Sequence, residues 1–333
     1  MGKSDPNKEI SDTELLEAIE ASGYPLELSL YQEFQAAGMD PTLGARLRSR
    51  SPGSEQSTHE IDLMVRVHHA EAHPEGGYAS SLLLTGLIDA KKLHAPARFI
   101  GLVGEQPTTH EFRVSRSYFS GCPSFRVLSD RAENYSDLFI GEGGLSRGFD
   151  PLNDGKFCVH WGIAKRDGNG VATVRGDGSK ESNTPSAFKE ERYWQSMANL
   201  VACTVWHERE GSRFMESADL DAGPMPRIDL CFPTLIVDTP SLEIYDPSTK
   251  KLEHVDWFIL RTSFEVEGEV HTRLIDIVTT AGVPAMVKRY KDAAALMLEA
   301  ADRNGPALRG VGLAHRMRAA DARKQRPKGA PRS

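Results

Sequence analysis

Apolar residues recur along this chain in two rhythms, and each predicts a different kind of element. Near the start Leu15, Leu16 and Ile19 follow at helical spacing behind Ser11 and Glu14, a capping-box pair, and Gly23 ends the run. Pro25 suits the first turn of a second helix reaching about Gly38, with Leu26, Leu30, Phe34 and Ala37 as its apolar stripe. Residues 40–58 are rich in Ser, Gly, Pro and Arg and predict a loop with at most an edge strand. A strand is predicted over 61–67, then a polar turn or long hairpin loop, HHAEAHPEGGYASS. After it come Leu82, Leu83, Leu84, Leu87 and Ile88, an apolar run that reads as a buried strand.

Further strands are predicted over 99–103, 125–128, 234–237, 257–260 and 274–278, and a closing helix over 285–301. The stretch 140–225 is harder to read. It holds two glycine-rich patches, GEGG and RDGNG, and a predicted helix over 187–208 whose Tyr193, Trp194, Met197, Leu200 and Val201 read as core. No repeat and no heptad array interrupts the pattern. Opening helices, strands joined by hairpin-like loops and later helices predict an α/β protein with a mixed central sheet flanked by helices.

Composition narrows the class. At 333 residues, 39% hydrophobic and 26% charged, the chain has a soluble globular balance and length enough for a large core. No apolar run approaches the roughly 18 residues of a membrane span. The polar opening MGKSDPNKEISDTE lacks the apolar segment of a signal peptide, and four scattered cysteines without a CxxC pair suit a cytoplasmic setting. The net charge of -7 is uneven. Residues 305–333 carry eight Lys or Arg against Asp321 alone, a basic tail that reads as solvated and disordered or as a phosphate contact. The acidic remainder attracts no nucleic acid at long range, so such a partner would need local basic groups or a metal ion.

One stretch carries chemistry. LIDAKKL ends the buried run in Asp89 and Lys91, which project from one face because strand side chains alternate. Asp62, in HEIDLMV, opens the neighbouring strand. Two carboxylates on adjacent strands are hard oxygen ligands of the kind magnesium takes, with water and a phosphate completing the shell. A lysine beside them can orient water or stabilise charge on a phosphate. The bland alternative is an ion pair at a strand end. Glu27 stands beside the second helix's apolar stripe, either facing such a site or answering the helix dipole. Glu60 shares the face of Asp62 and could assist. Lys92 points the other way, toward solvent or a nucleic-acid backbone. His68, His69 and His73 have no metal-ligand spacing, GEGGLSRG reads as a loop, and Asp276 reads as structural.

A helix-borne Glu, an Asp at a strand start and an acid-x-Lys at the end of the next strand resemble the PD-(D/E)XK nuclease superfamily, the restriction-endonuclease-like fold. ASGYPLELSLYQEFQAAGM, HEIDLMV, LIDAKKL, FPTLIVD and RLIDIVT, in this order, are similar to a group of uncharacterised bacterial proteins with that core. Those proteins show SGYPLE, REID, ECK and IDVVT in the matching places. His59 stands here for their Arg, Ala90 for their Cys and Asp89 for their Glu. The resemblance implies a metal-dependent endonuclease acting on DNA, with a role in defence against foreign DNA by analogy. It casts Glu27, Asp62 and Asp89 as metal ligands for Mg2+ or Mn2+ and Lys91 as the catalytic lysine. It also implies a nuclease core over 11–130, an insertion over 140–225 and the remaining strands and helix over 226–303. A homo-oligomer or a partner protein is compatible with it. The alternative is a non-catalytic nucleic-acid-binding or assembly module that keeps the fold.

Overall fold

The computed structural model describes residues 11–48, 58–72, 78–93, 97–105, 117–118, 156–166, 172–176, 187–217 and 227–303. The chain opens with α1 (Asp12–Ala21) and α2 (Tyr24–Ala36) and enters an antiparallel meander of β1 (Asp40–Arg48), β2 (Thr58–Ala72) and β3 (Tyr78–Lys92). Next come β4 (Arg98–Val103), β5 (Ser117–Tyr118), β6 (Lys156–Arg166), β7 (Ala172–Gly176) and the long helix α3 (Ala187–Ser217). β8 (Arg227–Asp238), β9 (Leu242–Asp246), β10 (Lys251–Val255), β11 (Trp257–Val266) and β12 (Glu269–Thr279) follow. A 3-10 turn (Thr280–Gly282) then leads into α4 (Val283–Arg303).

These strands form one 12-stranded mixed sheet in the order β1-β2-β3-β8-β12-β11-β6-β4-β9-β10, with β5 beside β8 and β7 beside β6. β3, β8 and β12 run parallel, so their C-terminal ends leave the sheet along one edge. Parallel neighbours require a crossover, and α3 lies in the one between β3 and β8. Pro233 is a poor residue for an interior strand. It falls in the gap on β8 between the β5 pairs, which end at Leu230, and the β12 pairs, which begin at Thr234.

Strand alternation divides the core in two. Leu84 and Ile88, Phe232 and Ile236, and Leu274 and Val278 pack under α2 and α4, with Leu30, Phe34, Met286 and Tyr290. Leu87, Cys231, Leu235, Ile275 and Ile277 face the other way, under Tyr193, Met197, Leu200 and Val201 of α3. The sheet is therefore a middle layer between helices, and strands hydrophobic on both faces have the helix cover that parallel sheets need.

Several elements differ from the sequence reading. Residues 40–48, read mainly as loop, form β1, paired along β2 from Asp40↔Arg66 to Arg48↔Thr58. The predicted polar loop at 68–81 is largely strand, because β2 and β3 continue their ladder to Ala72 and Tyr78. The stretch 140–225, expected as an insertion, contributes β6 to the sheet between β11 and β4 and α3 to its face. The strand expected at 125–128, GEGGLSRG and the basic tail lie outside the described residues. α1 carries the predicted capping box, with Ser11 Oγ accepting from the Glu14 amide at 3.3 Å. Its Leu15 and Leu16, read as an inward face, are exposed. Among the described residues no helix is long and apolar enough to cross a membrane.

Candidate active site

The site begins where β2 leaves β3. Their ladder ends at Leu63↔Ile88, although both strands continue past it. Ile61 joins the core under α3 whereas Leu63 joins the core under α2, so the strand turns over at Asp62. Across the β1 pairing from Asp62 stands Gly44, at φ 57, a left-handed backbone that glycine adopts without the strain of a Cβ. His59, beyond the turn, is held on α3, its Nδ1 2.9 Å from Asn199 Oδ1 and its ring edge-on to Trp206. The parting frees the Ala90 amide from the ladder, and the Asp62 carboxylate accepts it at 2.7 Å.

Asp62 and Asp89 then meet on one ammonium. Lys91 Nζ donates to Asp62 Oδ2 at 2.9 Å, to Asp89 Oδ1, and to the Ala90 carbonyl at 3.1 Å. All three of its donors are engaged. Asp89 is 4% exposed, while the Asp62 and Lys91 side chains remain partly open to solvent. Burial, reinforced by the neighbouring Asp62 carboxyl, pushes the Asp89 carboxyl up to about 7. Burial would also raise Asp62, but the hydrogen bond from Asp89, the Lys91 charge and the Ala90 amide hold it below the usual carboxylate range. Burial disfavours charge on Lys91 too, and the two carboxylates more than compensate, leaving its ammonium harder to deprotonate. Two neighbouring carboxyls divide their affinities in this way when one is more deeply buried and the two resist ionising together.

Glu27 is placed by the start of α2. Gly23 caps that helix at φ 88, and Glu27 lies in its first turn, half-buried. Burial raises its pKa first and the Asp62 charge raises it further, so the two acids are electrostatic neighbours. Glu60 turns outward instead, pairing with Arg46 Nε at 2.9 Å. Lys92 is exposed, as expected from alternation, but its carbonyl matters: Arg192 Nη2 donates to it at 2.6 Å and Tyr193 Oη at 3.0 Å. These two α3 residues fasten the end of β3 directly beyond Lys91. No local pattern signals that fastening, since only the helix position brings the two residues there. Asp276 is buried against α4, accepting from Trp257 Nε1 at 3.0 Å and Tyr290 Oη at 3.4 Å. His68 and His69 fall in β2, and His73 lies outside the described residues.

Among the described residues no group of three or more His, Cys, Asp or Glu gathers closely enough to hold a metal ion. The donor set at Asp62 and Asp89 nevertheless fits magnesium, which takes one or two carboxylates and keeps its waters. A divalent cation there would favour the ionised form of Asp89 that burial disfavours. No family model matches the chain, and comparison with curated proteins and with solved structures finds no match either. Fold and site together define a layered α/β protein with an acid–lysine cluster at the edge of its parallel strands.

Proposed function

We propose that this protein is a metal-dependent nuclease of restriction-endonuclease-like fold that hydrolyses DNA phosphodiester bonds. The observation that carries the reading is the joining of Asp62 and Asp89 on Lys91 at the point where β2 leaves β3. The chain order supports it: a helix, an antiparallel meander, a crossover helix and a strand parallel to the third. Mg2+ or Mn2+ bound by Asp62 and Asp89 would act as a Lewis acid on a phosphoryl oxygen and lower the pKa of bound water. The protein's own groups then have distinct tasks. Lys91, released from the carboxylates, donates to the phosphate oxygen on which charge develops. Glu27, with its raised proton affinity, accepts a proton from the attacking water. The water oxygen forms the new bond to phosphorus, the bond to one deoxyribose oxygen breaks, and that oxygen leaves with a proton from solvent water. Arg192 and Tyr193 keep the strand end from shifting.

One observation favours a second reading, a non-catalytic nucleic-acid-binding or assembly module. The Asp62–Lys91–Asp89 cluster is already satisfied as an ion-pair network. Plasmid nicking with Mg2+ or Mn2+ separates the two. Cleavage lost in both Asp89→Ala and Lys91→Ala supports the nuclease. Binding without cleavage in the wild-type protein supports the module, and cleavage persisting in both variants rejects this site.

A further inference from the structure

Beside the acid–lysine cluster lies a cleft of about 490 Å³, between the first two helices and the turned-over end of β2. Ile19, Tyr24, Leu28 and Leu43 form its apolar walls, and Glu27 and Glu60 its polar ones. Tyr24 is 70% exposed and belongs to neither core cluster, so its ring is free to meet a ligand. Gly44 lines the same wall, and a Cβ there would come into ordinary contact with Glu60 Oε1, at 3.5 Å. Glu60 Oε2 is taken by Arg46, which leaves Oε1 as the acceptor on the cleft side.

We propose that this cleft receives an unstacked nucleobase bearing an exocyclic amine, from the strand whose phosphate lies at Asp62, Asp89 and Lys91. The proposal rests on the nuclease reading and names its substrate as DNA with an unpaired base. Apolar walls with an aromatic ring suit a base face, on which stacking is the main source of affinity. The Glu60 carboxylate repels a phosphate but accepts from an amine, as carboxylates do from the cytosine amino group. Glu27 belongs both to the cleft and to the electrostatic surroundings of Asp62. A strand crossing from one to the other therefore places a base and a neighbouring phosphate together.

Free nucleosides isolate the base site from the metal site. Saturation-transfer NMR on the full chain without metal should show transfer to the ring protons of deoxycytidine and less to thymidine, which lacks the amine. Tyr24→Ala should weaken deoxycytidine binding about tenfold, and Glu60→Gln should narrow the gap between the nucleosides. Transfer to neither nucleoside, or transfer unchanged by Tyr24→Ala, overturns the proposal. So does a concentration-dependent dimer, seen by sedimentation, that excludes deoxycytidine from the cleft. Nucleoside binding without plasmid cleavage keeps the base site and removes the hydrolytic role. Cleavage without nucleoside binding does the reverse.

Discussion

Asp89 and Asp276 are both buried carboxylates on parallel strands at the middle of the sheet, and their surroundings differ in kind. Asp276, 1% exposed, meets an indole N–H and a phenol under α4. Asp89, 4% exposed on the other face, meets a second carboxyl and a lysine. The first arrangement supplies hydrogen-bond donors to a buried acid and holds a core together. The second gathers two carboxyls on one ammonium, and burial leaves one of the two with a raised proton affinity, a perturbation of the kind found at functional sites.

The largest expected effect tests that contrast directly. Asp89→Asn should reduce metal-dependent cleavage by about 100-fold or more while leaving the fold intact. Asp276→Ala should keep the activity of the folded fraction and lower stability by about 1–3 kcal/mol in urea titration, since it removes the acceptor of the Trp257 indole N–H and the Tyr290 hydroxyl. Equal losses of activity would erase the distinction. Next comes Mg2+ itself: at ten times its Kd it should stabilise the wild-type protein by about 1.4 kcal/mol, and Asp89→Asn should not respond. Acidity gives a third comparison. Because the folded pKa of Asp89 is raised, its protonated form favours the fold, and that stability is lost as pH rises from the ordinary carboxylate range through about 7. Asp62, shifted down, acts only below that window. The metal-free wild-type protein should therefore lose stability from pH 5 to 7.5 relative to Asp89→Asn, as denaturant midpoints would show. The smallest effect belongs to Arg46→Ala: its ion pair with Glu60 is exposed, so stability should change by less than about 1 kcal/mol.

The gathering of Asp62, Asp89 and Lys91 was legible because strand alternation puts Asp89 and Lys91 on one face and HEIDLMV supplies a neighbouring strand with Asp62 at its start. The ends of the long elements were less so. β2 and β3 persist through histidine, alanine and serine because cross-strand pairing overrides local propensity. In β6, Trp161 and Ile163 alternate toward the core under α3, yet glycine-rich neighbours hid the signal. The β9–β10 hairpin turns on Asp246, which accepts from the Ser248 amide at 2.8 Å, a local signature present in DPST and unread. The parting of β2 from β3 has no sequence period at all. It depends on α3 drawing His59 and Ile61 away, a contact made across 140 positions.

The parallel register of β3 on β8 sets a timetable for biosynthesis. Ser81 pairs with Arg227, so the ribosome must add 146 residues before that ladder can begin. At roughly 5–20 residues per second this interval lasts about 7–30 s. Throughout it the nascent meander carries an unzipped apolar edge through Leu83, Leu84, Leu87 and Ile88, a surface for chaperones to shield until β8 emerges.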